Sequence, residues 1–260
     1  MRREGRAATA PRRRGVSAVP RLRATGALLT AALLAAVGGT LTTTTTASAA
    51  ATTGSAFVVS KAQYDEMFPR KKPFYNYEGL VTAMKKYPAF AGQGGVGTRK
   101  REAAAFLANV SHETGGLVYI VEQNKANWPY YCDTTQPYGC PAGQSAYYGR
   151  GPMQLSWNFN YKAAGDALGI DLLHKPELVQ QKPDVAWKTA LWFWMTQSGA
   201  GTVTPHSAIV TGSGFGQTIR SINGAIECNG GNPAEVQDRV ALYKRFTKAL
   251  RVSPGRSLSC

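Results

Sequence analysis

From residue 60 onward, apolar residues recur at three- and four-residue intervals, which predicts a largely helical protein with little strand. Ser60 with Gln63 reads as a capping box opening a helix through Tyr64, Met67 and Phe68 that stops before Pro69. Residues 73–77 read as loop or short strand. Glu78–Tyr87 reads as a helix carrying Leu80, Val81 and Met84 on one side. After a glycine-rich connector at 91–98, Phe106, Val110 and Glu113 fall on one helical face, and Gly115-Gly116 ends that helix.

Tyr161–Leu168 reads as a helix ended by Gly169. Asp184 is the expected cap of the next, whose Trp187, Leu191, Trp194 and Met195 form a core stripe. Residues 198–217 read as loop, with His206 a hydrogen-bonded structural histidine. Asn223 and Glu227 share a face, and Asn232, Pro233 and Glu235 open a last helix. Its buried stripe is Val236, Val240, Tyr243, Thr247 and Leu250. Arg239 falls within that stripe, so it needs an acidic partner, with Glu227 or Glu122 as the expected one.

The amino terminus follows a different pattern. Eight arginines and one acid occupy residues 1–25, followed by the apolar run Ala27–Val37, five threonines and Ala47-Ser48-Ala49. The apolar run is shorter than the roughly 20 residues that cross a bilayer. The pattern is that of a secretory signal over 1–49, with a small-residue stub at 50–56 and one domain over 57–260. The formal charge is +15; the leader accounts for +7 of it, leaving +8 spread over scattered basic residues. A basic surface favours anionic surroundings, but no phosphate loop or basic stripe supports nucleic-acid binding, and no membrane association is expected.

All four cysteines lie after the leader, which argues for disulfides. Three pairings are possible. The favoured one joins Cys132 to Cys140 across a short loop and Cys228 to Cys260 at the carboxyl terminus. CxxC spacing is absent and the histidines are far apart, so no zinc site is expected, nor any other metal or cofactor.

Two carboxylates carry the candidate chemistry. Glu113 sits at a helix end facing the way of core residues, and Glu122 follows in the polar setting of Gln123 and Asn124. A half-shielded carboxylic acid and a solvated carboxylate are the apparatus of glycoside hydrolysis. The plain alternative is a helix-end glutamate and an unrelated loop glutamate. Residues 147–161, YYGRGPMQLSWNFNY, then interleave aromatics with Gln154, Ser156, Asn158 and Asn160, a composition suited to sugars because rings stack on pyranose faces while amides take hydroxyls.

SHETGG (111–116), VEQN (121–124), YYGRGPMQLSWNFNY (147–161), WKTALWFWMT (187–196) and SINGAIEC (221–228) together resemble the chitinases of glycoside hydrolase family 19, of the compact bacterial type without a chitin-binding module. The resemblance runs from about Phe57 to Cys260. It implies a mainly α, lysozyme-like α+β fold with two helical lobes flanking a cleft. It also implies endo-hydrolysis of β-1,4-linked N-acetylglucosamine with inversion, on chitin and chitooligosaccharides; with the leader, a secreted protein is expected, and a monomer. Carried over residue by residue, Glu113 matches the general acid, Glu122 the general base and Ser156 the hydroxyl that holds the water. His112, Tyr148, Gln154, Asn160, Asn223, Glu227 and Arg239 match substrate-binding or network positions. Phe159 departs from the tyrosine of many members. A peptidoglycan hydrolase on the same fold and a non-catalytic chitin-binding defence protein are the rival readings.

Overall fold

Helices of this chain pack around one that is buried on nearly every side. In a computed structural model, which describes residues 57–260, that helix is the third. The helices before it are α1 (Lys61–Met67) and α2 (Tyr77–Met84), and α3 itself spans Val96–Thr114. After it come a 3₁₀ helix (Lys125–Tyr131), α4 (Asn158–Leu168), α5 (Leu178–Gln181), α6 (Pro183–Thr196), α7 (Pro205–Val210), α8 (Phe215–Glu227) and α9 (Pro233–Ala249). The expected leader and stub lie outside the described residues.

Alanines at 103–105 and 108 favour the helix and let neighbours approach closely, and Phe106, Leu107 and Val110 fill the space between them. All of these are fully buried. Thr114 closes the helix by donating its hydroxyl to Val110 O (2.6 Å) while accepting from Leu117 N (2.7 Å). Gly115 follows at φ 60°, ψ 39°, a left-handed cap that a side chain would strain.

Two apolar clusters form, and α6 belongs to both. Its Trp187, Leu191 and Trp194 join Tyr64, Phe106 and Tyr243 in the larger one. Its Val185, Ala186 and Trp192 join Tyr147, Tyr161, Leu172 and Val179 in the smaller. A helix apolar on two faces can support two lobes at once, which matches the mainly helical architecture expected of the chain. Among the described residues the only strand-like pairings outside helices are the isolated bridges Val121–Arg150 and Arg150–Leu155.

Caps and disulfides follow the sequence pattern. Ser60 and Gln63 form a reciprocal capping box, Asn232 accepts from Glu235 N, and Cys132–Cys140 and Cys228–Cys260 are bonded. His206 lies 2.6 Å from Glu102, which is fully buried and also accepts from Trp194 Nε1 and Ala91 N. That carboxylate ties α3, α6 and α7 together.

Several boundaries differ from expectation. Helix α6 begins at Pro183 rather than after an Asp184 cap, because proline has no N–H to satisfy and fits the first helical position. Asp184 instead pairs with Lys188 one turn on (2.9 Å). Residues 198–217 are not all loop: Thr204 and Pro205 make the same cap-and-proline start for α7, and α8 begins at Phe215. Helix α4 starts three residues before Tyr161, and α2 starts at Tyr77 under an Asn76 cap.

Candidate active site

Glu113 occupies the last turn of α3, where the cap at Gly115 turns the chain away and leaves the carboxyl group partly open (side chain 18% exposed). Its Oε1 accepts a hydrogen bond from Arg239 Nη2 at 2.5 Å. Arg239, buried in α9, also donates from Nε and Nη2 to the two oxygens of Glu227 (2.8 and 2.7 Å) and from Nη1 to Asn109 Oδ1 (3.1 Å). Asn223 Nδ2 completes the chain by donating to Glu227 Oε1 (2.7 Å). One guanidinium therefore serves two carboxylates. Burial alone would push the Glu227 carboxyl up, but the hydrogen bonds and charge of Arg239, with Asn223, hold it below the usual carboxylate range. For Arg239, burial works against the cation, and the two carboxylates outweigh it and raise its value.

Glu122 is placed by short backbone pairing rather than by a helix. Its N–H donates to Gly149 O (2.8 Å), and Gly151 N–H returns the bond to Ile120 O (2.8 Å). Arg150 and Leu155 pair in turn, which folds residues 150–155 into a tight loop and sets Gln154 and Ser156 beside Glu122. Gly149 lets this crossing close tightly, since a Cβ there would come within 2.9 Å of Gln154 Oε1 and displace that side chain.

The two glutamates face one cleft of about 560 Å³. Ser156, Gln154, Asn160 and Asn223 line it as well, as do Thr189 and Phe193 from α6. Ser156 Oγ donates to Gln154 O (2.9 Å), so its lone pairs remain to accept from a molecule in the cleft. Asn160 Nδ2 donates to Ser156 O (2.9 Å), bracing the same loop from α4. Among the described residues, no group of three or more His, Cys, Asp or Glu side chains converges to hold a metal ion.

Other predicted residues stand elsewhere. Glu227 and Arg239 lie behind the wall, and the second carboxylate partner of Arg239 is Glu113 rather than Glu122. His112 is not among the cleft-lining residues. Its ring lies within 2.9 Å of Glu235 and 2.7 Å of Asp238, both on α9, because adjacent helix positions point about 100° apart and only Glu113 faces the cleft. Tyr148 is also withdrawn. Its ring is stacked between Trp128 (centroids 3.6 Å) and the Arg150 guanidinium (3.6 Å), and its hydroxyl donates to Gln180. Asn158 is fully buried and bonds to the backbone of Asp133 and Gly139, which removes it from any sugar-binding role.

Sequence reasoning missed Asn127 and Tyr131. Both donate to Glu122 Oε1, at 2.9 and 3.0 Å, from the 3₁₀ helix. Their spacing from Glu122 has no helical or strand period, so no pattern could have revealed them. Trp157, one of the aromatics of the 147–161 run, lines the cleft. It adopts φ 77°, ψ 135°, a conformation that L side chains rarely take, and the residue is 36% exposed on the cleft wall.

Comparison with known proteins matches residues 52–260 to the family described as chitinase class I, glycoside hydrolase family 19. Endochitinase A of Zea mays is 48% identical over 190 residues, covering 73% of this chain and 64% of that protein, so the chain spans just under two thirds of that relative's length. Among solved structures, chitinase C from Streptomyces griseus is 67% identical with a TM-score of 0.78, over 78% of this chain and 98% of that one. A bacterial family 19 chitinase is 66% identical with a TM-score of 0.77, over 78% of this chain and the whole of the other.

Proposed function

This chain belongs to glycoside hydrolase family 19, the class I chitinases, and from that membership we propose that it is an endochitinase cleaving β-1,4 linkages between N-acetylglucosamine units by single displacement. Glu113 gives its proton to the glycosidic oxygen as the bond to the anomeric carbon breaks, and the bonding pair leaves with that oxygen. Glu122 takes a proton from water, whose oxygen forms the new bond on the opposite face of the ring. Ser156 accepts the water's second hydrogen and so aims its lone pair. The product carries the α configuration and no covalent intermediate forms.

The observation that carries this reading is that Glu113, Glu122 and Ser156 line one cleft, although they come from a helix end, a short backbone pairing and a tight loop. Arg239 then has a role beyond structure. Once Glu113 has given up its proton, the guanidinium already bonded to Oε1 offsets the new charge without rearrangement. Gln154, Asn160 and Asn223 are the proposed sugar contacts, while His112, Tyr148 and Glu227 act through other residues. Export is part of the proposal, supported by the leader pattern at 1–49 and by two disulfides, which persist in oxidising surroundings.

The test is hydrolysis of a chitin hexamer with the anomeric configuration of fresh products followed in real time. Internal cleavage yielding α-anomers is the expected result. Fresh β-anomers would refute single displacement, and cleavage of peptidoglycan alone would refute the substrate.

A further inference from the structure

The general base proposed above has a support of its own. Asn127 Nδ2 and Tyr131 Oη both bond to Glu122 Oε1, while Oε2 is buried and accepts no hydrogen bond from the protein. The carboxylate is therefore asymmetric: one oxygen is committed twice and the other is uncommitted. The segment carrying both donors is itself fixed at three points. Asn124 caps its start (3.3 Å to Ala126 N), Trp128 stacks on Tyr148 at its middle (13° between planes), and Cys132, directly after Tyr131, is bonded to Cys140.

Resting on the assignment of Glu122 as the base, we propose that Asn127 and Tyr131 are positioning residues that lock the Glu122 carboxylate through Oε1 in the orientation from which it takes the proton of the reacting water. Two donors fix the carboxylate plane, because a group held by one hydrogen bond can still rotate about it. A carboxylate held in one plane meets the water without first having to reorient. Burial pushes the Tyr131 hydroxyl up to about 12, with the neighbouring Glu122 adding to the shift, so it remains a donor across the working pH range of any such enzyme. Tyr131 also presents its ring edge to Trp157 at 5.6 Å, which links the base to the aromatic cleft wall.

The experiment compares Tyr131→Phe, Asn127→Ala, Glu122→Gln and the Tyr131→Phe/Glu122→Gln pair on a chitin hexamer, with thermal melts of each. Each positioning variant is expected to lower kcat about tenfold or more with KM within about twofold. In the Glu122→Gln background, adding Tyr131→Phe is expected to change kcat by less than about twofold, because its effect runs through Glu122. A residue that merely supported the fold would cost the same in both backgrounds, and that result would overturn the inference. So would wild-type kcat in both positioning variants while Glu122→Gln is inactive, which leaves the base assignment standing. Near-normal turnover of Glu122→Gln would sink the base assignment itself. Tyr131→Phe keeps the ring, and it decides the matter should Asn127→Ala fail to fold.

Discussion

Arg239 Nη2 reaches Glu113 Oε1 from one side and Glu227 Oε1 from the other, so a single buried cation is shared between the proposed acid and a carboxylate remote from the cleft. The acid is thus placed by α9 as well as by its own helix, and its electrostatic setting depends on residues that no sugar would touch.

Replacing Glu113 with Gln keeps the shape and an acceptor for Arg239 while removing the transferable proton. We expect kcat on chitin oligomers to fall by about 10²–10⁴-fold, the range for a positioned acid, with oligosaccharide affinity retained. Calorimetric binding beside a turnover assay separates the two effects. Near-normal turnover would remove Glu113 from the mechanism.

Arg239→Met tests the shared cation. Glu227 is 2% exposed, and the change leaves it buried with only Asn223 as a side-chain donor. Breaking a buried pair from one side costs about 3–5 kcal/mol. Chemical denaturation should show a loss of that order, and Arg239→Met with Glu227→Gln should recover part of it. A single variant as stable as wild type would mean that the ion pairs add nothing to the fold.

The same network sets the response to acid. The Glu227 carboxyl lies below its ordinary value of 4.5 in the folded protein, so its contribution is complete above that value and is lost as pH falls through the lower folded value. Melting temperature should therefore hold above about pH 4.5 and drop below it. Glu227→Gln should be less stable at neutral pH but shallower on the acid side. An equally steep acid limb in that variant would assign the loss to other carboxylates.

What could be read from the chain was local. Ser60 with Gln63, Asn232 with Pro233, and a glycine after Thr114 each act within a few residues, and each folds as the pattern implies. Glu113 was legible as a helix-end residue for the same reason, whereas Glu122 is placed by pairing with Gly149, which is distant in sequence. Contacts between distant elements were not legible. The choice of Glu113 over Glu122 as a partner of Arg239 depends on how α3 crosses α9, across 126 residues of chain. Asn127 and Tyr131 reach Glu122 from a 3₁₀ helix containing Pro129, where neither the 3.6-residue nor the two-residue period applies. Asn158 belonged to an alternating run that suggested sugar binding, yet helix α4 begins at that residue and turns its amide inward.

Trp157 offers the sharpest test of whether the cleft wall is held under strain. Its backbone, at φ 77°, suits glycine, and an L residue kept in such a region costs about 1–3 kcal/mol. The surroundings enforce it: Trp157 N–H donates to Tyr147 O, and its carbonyl accepts from Asn160 and Tyr161 at the start of α4. The ring contributes in return, stacking on Phe159 at 5.6 Å and meeting Tyr131 edge-on. Trp157→Ala removes the ring but keeps the strain, whereas Trp157→Gly removes both. The glycine variant should therefore be the more stable by about 1 kcal/mol, reversing the usual order of the two residues. If the ring serves as a sugar platform, both variants should weaken oligosaccharide binding alike, by roughly 3- to 10-fold for one lost stacking contact, measured in the Glu113→Gln background. An alanine variant as stable as the glycine one would show that the backbone there is relaxed. Undiminished affinity in both would show that the ring serves only the wall.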